Sequence, residues 1–453
     1  MKKIKKSIFI TLFIVSILSL LGMNIFADSA KAAEDKFIPK INYTQFQLDN
    51  GLEIFVVEDK SIPVINYSLY YDVGSIDEKT GKTGMAHFLE HMMFLKSENL
   101  AKGEFNDLIT EVGGKTNAMT TYDYTRYHGE VPANMLELVM ALEAERMVNL
   151  KFESKELERE REVILQERNT RIQSNIFSKN LEKLQKEAFT NTPLEHQVIG
   201  WEEGLKSITL EDMKGFYEKY YAPNNAVLVL SGDVNPDKAH KLAKKYFGGL
   251  SASNLNKDQK TKSWKINAGK KLKFKENTRL PITMMLYDTP VGNHSDQVAI
   301  DALLNILVNN KTSRVKSELK REQKLIIETA GFNTKLEVPG YALIYLVPGN
   351  QMNMEKVQKA FDNEIERIIN EGLKKKELKI IKNQELKKAN FNQRSSQSLA
   401  KLLGLGAANY NNPDFYVEYV EDVYNLKEED IIKAAKKYFN PENRITGNVI
   451  PNY

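Results

Sequence analysis

The sequence predicts a protein of the α+β class built as two related halves, and three observations carry this. Apolar runs of strand length recur through the chain, interleaved with amphipathic segments of helical period. A polar stretch rich in Lys, Asn and Ser, residues 251–264, divides the chain near its middle as a linker. There is also an internal repeat. Thr209-Leu210-Glu211-Asp212, leading to Tyr220-Tyr221-Ala222-Pro223-Asn224-Asn225, is similar to Lys427-Glu428-Glu429-Asp430, leading to Tyr438-Phe439-Asn440-Pro441-Glu442-Asn443. Both copies keep a helix, an aromatic pair, a proline, an asparagine and a following strand. Gly232-Asp233-Val234-Asn235-Pro236 is echoed by Gly447-Asn448-Val449-Ile450-Pro451. At 453 residues the chain can bury two or three cores.

Residues 1–32 stand outside that plan. Lys2, Lys3, Lys5 and Lys6 precede an apolar run from Ile8 to Phe26, and Ala30-Lys31-Ala32 offers a small-x-small cleavage site. A cleaved export signal and a retained anchor both fit, since the run is long enough to span a bilayer. No cysteine supports a lipoprotein anchor. The segment carries five lysines against one aspartate, the whole of the net charge of +4. The remaining chain is near neutral and gives no case for nucleic acid. With no cysteine anywhere, an exported fold must rest on core packing, and a metal site must use His and carboxylates.

In chain order, Tyr43–Leu48 and Leu52–Val57 flank Asn50-Gly51, a hairpin signature. Val64–Val73 is a further strand ending at Gly74. Lys102–Val112 is a short amphipathic helix closed by Gly113-Gly114. Strands follow at Lys115–Thr121 and Tyr124–Val131, around Tyr122-Asp123, then helices at Asn134–Arg146, Ser154–Arg171 and Asn175–Thr190. Residues 191–204 are irregular, and His196 within them is expected to be a loop hydrogen-bonder. A helix at Leu210–Tyr220 and a strand at Ala226–Ser231 close the first half. In the second half a helix is predicted over Val298–Val308.

Chemistry concentrates in His87-Phe88-Leu89-Glu90-His91. On a helix, positions i and i+4 share a face, so His87 and His91 can present two imidazoles to one ion, with the Glu90 carboxylate beside it. This is the zincin HExxH arrangement in reverse: two ligands and a base. Histidine is scarce, with six in the chain, which makes a chance match rare. Two histidines do not complete a zinc site. In the Ser154–Arg171 helix most acids form a solvated face, but Glu160 and Glu167, seven apart, lie beside the apolar stripe of Val163 and Ile164. Both are candidates for a third ligand or a residue supporting the site. The repeat offset carries His87 and His91 onto Asn305 and Asn309, so the second half has the architecture without the chemistry.

These stretches, with Gly113-Gly114-Lys115-Thr116-Asn117-Ala118 and Glu160 through Glu167, resemble the pitrilysin or insulinase family of zinc peptidases, the inverzincins, in its short-chain, processing-peptidase-like branch. The resemblance covers essentially the whole chain after the export segment. It implies a zinc-bearing domain at 33–250 and a homologous domain at 265–453, each an antiparallel-dominated sheet covered by helices, facing each other across a cavity. It implies Zn2+ held by His87, His91 and Glu167, with Glu90 as the base and Glu160 supporting the ligands. Peptide substrate is expected to add as a strand near Asn117 and Ala118, although Asn117 fits an ordinary edge-strand or turn residue equally well.

One departure matters. Active members, or their partner subunits, carry an Arg and a Tyr seven apart in the second domain. Here Lys320 and Ile327 occupy those places, and the preceding glycine-rich turn reads Asn309-Asn310-Lys311. The resemblance therefore implies a partner: a related subunit that supplies the pair, or a second copy in a homodimer. It leaves open a non-catalytic scaffold or a peptide-gripping protein of the same fold. Location is expected to be outside the cytoplasm, whether secreted, periplasmic or on the cell envelope, with membrane attachment only if the N-terminal segment is retained.

Overall fold

The computed structural model describes residues 40–255, 264–349 and 353–452, together with Ile38. The expected export segment and residues 256–263 of the polar stretch lie outside them. The first half runs β1 (Thr44–Gln47), β2 (Glu53–Glu58), β3 (Val64–Tyr71), α1 (Met85–Met92), α2 (Glu104–Glu111), β4 (Lys115–Thr120) and β5 (Thr125–Pro132). It continues with α3 (Leu136–Val148), α4 (Ser154–Arg168), α5 (Ile176–Ala188), α6 (Glu202–Ser207), α7 (Leu210–Tyr220), β6 (Ala226–Gly232) and α8 (Pro236–Phe247). The second half runs β7 (Lys271–Glu276), β8 (Ile282–Thr289), α9 (Asp296–Leu304), β9 (Ile326–Asn333) and β10 (Gly340–Pro348). It ends with α10 (Met354–Glu371), α11 (Glu377–Asn392), α12 (Ser396–Tyr410), α13 (Phe415–Asn425), α14 (Glu428–Tyr438) and β11 (Arg444–Pro451).

Two sheets result. The first has the order β1-β2-β6-β3-β5-β4 and the second β7-β11-β8-β10-β9. In each, one parallel pair, β2 with β6 and β7 with β11, joins an otherwise antiparallel ladder. Leaving out β1, the two orders correspond strand for strand, which is the repeat expressed as topology. The Asn50-Gly51 hairpin forms, with Gly51 at φ +92° as that turn requires. Two helices expected to be longer change pitch instead. Residues beyond Arg168 and beyond Leu304 continue as π-helical turns, Asn169–Gln173 and Asn305–Asn309.

Strand β6 is buried along its whole length, because both faces of the first sheet are covered. One face carries helices of its own half, in a core that includes Phe88, Leu89, Met140 and Ile164. The other is covered from the second half: Leu399, Ala400 and Leu403 of α12 pack on Phe55, Tyr70 and Val229. The exchange is reciprocal, as Leu181, Leu184 and Ala188 of α5 pack on Met284, Leu286, Ile445 and Val449 of the second sheet. The halves are thus tied by traded helices. A cavity of about 600 Å³ lies between them, lined by Gln47, Glu53 and Asn224 from the first half and Asn293, Glu337 and Tyr410 from the second. No residue of α1 lines it.

Each sheet ends in an edge strand, β4 and β9, with backbone groups open to pairing. On β9 the Asn309 side chain behaves as a surrogate neighbour. Its Nδ2 donates to the Gly331 carbonyl at 2.8 Å and its Oδ1 accepts from the Gly331 N–H at 2.9 Å. On β4 the Ala118 N–H donates to Asn117 Oδ1 at 2.9 Å.

Candidate metal centre

Helix α1 is short and fixed at its start. Gly84 precedes it at φ +87°, and a Cβ there would lie 2.5 Å from the Ile199 carbonyl, so only glycine fits. The half-buried Glu78 carboxylate accepts from the N–H groups of Gly84 and Ala86 at 2.8 and 2.9 Å, satisfying donors the first turn leaves free. Met85, Phe88, Leu89 and Met92 face the core, which turns His87, Glu90 and His91 towards α4 and β4.

Helix α4 is pinned by its arginines. Arg161 donates to the carbonyls of Leu205 and Ile208 and lies 5.5 Å from the Phe88 ring of α1. Arg168 forms a buried ion pair with Glu182 of α5 at 2.8 Å. With Leu157 and Ile164 buried beneath, α4 presents Glu160 and Glu167 to the two histidines.

Among the described residues, one group of metal-ligating side chains converges: His87, His91 and Glu167 have ligand atoms within 4.8 Å of one another. His87 Nε2 lies 3.8 Å from Glu167 Oε1, and His91 Nε2 lies 3.4 Å from Glu167 Oε2. Tetrahedral zinc, with ligands about 2.0–2.2 Å away, sets its donors about 3.4 Å apart, so this set fits the ion. Glu160 Oε2 is 3.6 Å from His91 Nδ1, on the side away from Glu167. That is where an acceptor fixes the ring orientation of a ligating histidine. The matching His87 Nδ1 is buried with no partner. Arg171, largely exposed, pairs with Glu167 Oε1 at 2.8 Å; so solvated a partner is a weak competitor for that oxygen.

Electrostatics divide the two histidines. Burial and the neighbouring His91 push His87 down to about 4, so it stays neutral. Burial also pulls on His91, but the hydrogen bond to Glu167 and the charges of Glu167, Glu90 and Glu160 outweigh it and raise it above 6.5. The His91 hydrogen bond and the His87 and Arg171 charges hold Glu167 below the usual carboxylate range. Glu90 is raised, mainly by burial. In the metal-free chain, then, His91 holds its proton to higher pH than an ordinary imidazole, whereas His87 and Glu167 lose theirs at lower pH than ordinary groups of their kind. If the three residues hold zinc, its affinity is expected to fall as pH drops through the raised His91 range, with a proton release on binding that grows as pH falls through that range. Calorimetry in buffers of different ionisation enthalpy measures the release, and none at all would contradict the His91 assignment.

The structure also locates the other expected residues. Asn117 is exposed on β4 and Ala118 packs towards the core. His196 is a loop hydrogen-bonder as expected, its Nδ1 2.8 Å from the Gln197 carbonyl. Lys320 is engaged by Glu328 at 2.7 Å, and Ile327 is 45% exposed on β9. Sequence reasoning missed Glu78, Arg161 and Thr120, whose hydroxyl donates to Glu90 Oε2 at 2.5 Å. A period-two reading of β4 puts Thr120 on the face of Ala118 and Thr116, but which face meets α1 needed the fold.

Two interlocked sheet-plus-helix halves, with an inverted His-x-x-Glu-His helix in one of them, define a class of protein, and the comparisons agree. Residues 54–201 match the family described as Insulinase (Peptidase family M16), and residues 207–385 match the Peptidase M16 inactive domain. The chain belongs to peptidase family M16. The zinc protease PqqE of Helicobacter pylori is 30% identical over 426 residues, covering 90% of this chain and 93% of that one. A crystal structure of a protease from Helicobacter pylori superposes with a TM-score of 0.85 at 29% identity, covering 92% of this chain and 100% of the other. The first half of the periplasmic protease PqqL from Escherichia coli shares the fold, with a TM-score of 0.73 at 22% identity over 92% of this chain and 93% of that one. The inactive-domain match agrees with Asn305 and Asn309 standing where the first half has its histidines.

Proposed function

We propose that the chain is a zinc-dependent metalloendopeptidase acting on peptides or unfolded segments, with residues 33–250 as the zinc-bearing domain and 265–453 as its homologous companion. The observation that carries this is the convergence of His87, His91 and Glu167, with the half-buried Glu90 on the same helix as the two histidines. When bound, zinc supplies a Lewis acid that polarises the scissile carbonyl and acidifies a water. The chain's own residues do the rest. His87, His91 and Glu167 hold the ion, and Glu160 orients the His91 ring. Glu90 takes the attacking water's proton and delivers it to the leaving nitrogen. Backbone groups of β4 around Asn117 and Ala118 seat the peptide as an added strand, which gives affinity with little sequence selectivity.

A partner follows from what this chain lacks. Lys320 is occupied by Glu328, and Ile327 has no polar group, so neither serves as the Arg/Tyr pair. The cavity lined by Gln47 and Tyr410 does not include α1, and a second chain lying over α1 would enclose the site. We assign that role to a related subunit carrying the pair, or to a second copy. Export is proposed from the Lys-rich and apolar start of the chain, in keeping with the periplasmic relative. Among the described residues no helix is long and apolar enough to cross a membrane.

The same departure at Lys320 and Ile327 favours the second reading, a scaffold or peptide-gripping member. Zinc stoichiometry and cleavage of a quenched peptide, with and without a paired subunit carrying Arg and Tyr, separate the two. The peptidase reading expects one zinc per chain, slow cleavage alone and cleavage at least about a hundredfold faster in the pair. Zinc binding without cleavage in the pair would favour the grip; high activity from the chain alone would remove the partner.

A further inference from the structure

We infer that Thr120 is a positioning residue for Glu90, setting the base from the strand that would receive the substrate; this rests on the peptidase reading above. Its hydroxyl donates to Glu90 Oε2 at 2.5 Å across the gap between β4 and α1. A carboxylate has two oxygens, and a donor fixed on one leaves the other free for the reacting proton. It also removes the rotation about the last side-chain bond that would swing that oxygen off line.

The donor is held on both sides. Thr120 pairs in register with Thr125, whose hydroxyl donates to the Val73 carbonyl at 3.0 Å. The next two residues are clamped: Ser75 N–H donates to the Thr121 carbonyl at 3.1 Å and Ile76 N–H to the Tyr122 carbonyl at 3.0 Å. Tyr122 OH in turn donates to the His196 carbonyl at 3.0 Å. Gly74 lies against this turn so closely that a Cβ would sit 2.2 Å from the Tyr122 carbonyl. The hydroxyl therefore has little freedom to follow a displaced Glu90, and the carboxylate conforms to it.

The consequence is a shared reference. Asn117 and Ala118, where a peptide strand would align, stand two and three residues before Thr120 on one rigid strand. A single element then sets both the register of the scissile bond and the place of the base. A loose base costs rate without costing substrate affinity, since binding uses the backbone of β4.

The test compares Thr120→Val, which keeps the shape and removes the donor, with Thr120→Ser, which keeps the donor. Thr120→Val is expected to lower kcat by about ten- to a hundredfold with KM essentially unchanged. Its zinc content stays at one per chain and its Tm stays at the wild-type value. Thr120→Ser restores most of kcat. In a Glu90→Gln background, Thr120→Val should add nothing, the non-additivity of two groups acting as one. A readout independent of turnover is binding of a peptide hydroxamate to the zinc-loaded chain, which places the inhibitor between metal and carboxylate. It should weaken about tenfold in Thr120→Val and not in Thr120→Ser. Equal hydroxamate binding in all three proteins, or a loss in Thr120→Val that follows lowered Tm or zinc content and is not rescued by serine, would overturn the assignment. A wild-type chain that binds zinc and hydroxamate but cuts no peptide even when paired with a subunit carrying Arg and Tyr would sink the peptidase reading instead, and leave this one to the hydroxamate result.

Discussion

Glu90→Gln is expected to keep one zinc per chain while peptide cleavage falls by about a thousandfold, within the range that a positioned proton carrier contributes. Glutamine matches glutamate in shape, and its side-chain oxygen can still accept from Thr120, so the α1 to β4 contact survives. It cannot take a proton. Burial raises the Glu90 carboxyl above its ordinary range, the direction that a proton-accepting role would call for. Metal analysis together with single-turnover cleavage separates the outcomes. Retained zinc with lost cleavage assigns Glu90 to the proton path; full activity would refute it.

The second large effect is on the metal itself. Glu167→Ala should abolish stoichiometric zinc binding, because it removes the anionic member of the donor set and leaves two neutral imidazoles. Glu160→Gln should be milder, weakening zinc by about ten- to a hundredfold, the usual cost of losing an outer partner of a ligating histidine. The contrast is diagnostic because both residues lie on α4 and both face His91, at 3.4 Å for Glu167 and 3.6 Å for Glu160. Competition with a chelator of known affinity gives both numbers. Near-equal losses would show that the two glutamates share the ion instead of dividing into ligand and support. Neither site is fully buried, so misfolding is not expected to obscure the comparison.

Much of this was legible in the chain because it depends on short-range regularities. The i, i+4 spacing of His87 and His91 and the heptad between Glu160 and Glu167 are properties of helices, and a helix fixes which side chains share a face whatever surrounds it. The Asn50-Gly51 turn and the apolar β6 are equally local. The Glu78 carboxylate was not legible. It acts across a loop on the amides of Gly84 and Ala86, and a lone acid in a polar loop carries no periodic signal. Nor was the trade of helices: α5 and α12 are amphipathic, but amphipathicity says only that a face is buried, not which sheet buries it.

By itself the sequence determined the two-half repeat, the helix with its two imidazoles and base, and the pair of acids on a later helix, because each is written within one turn, one heptad or one repeat. Spacing left both acids open and the family resemblance pointed to Glu167; only the tertiary structure decided that a threonine on an edge strand grips the base and that each half covers the other's sheet. Those are meetings of residues far apart in the chain. Their geometry comes from packing whole elements together, and no spacing along a single chain records it.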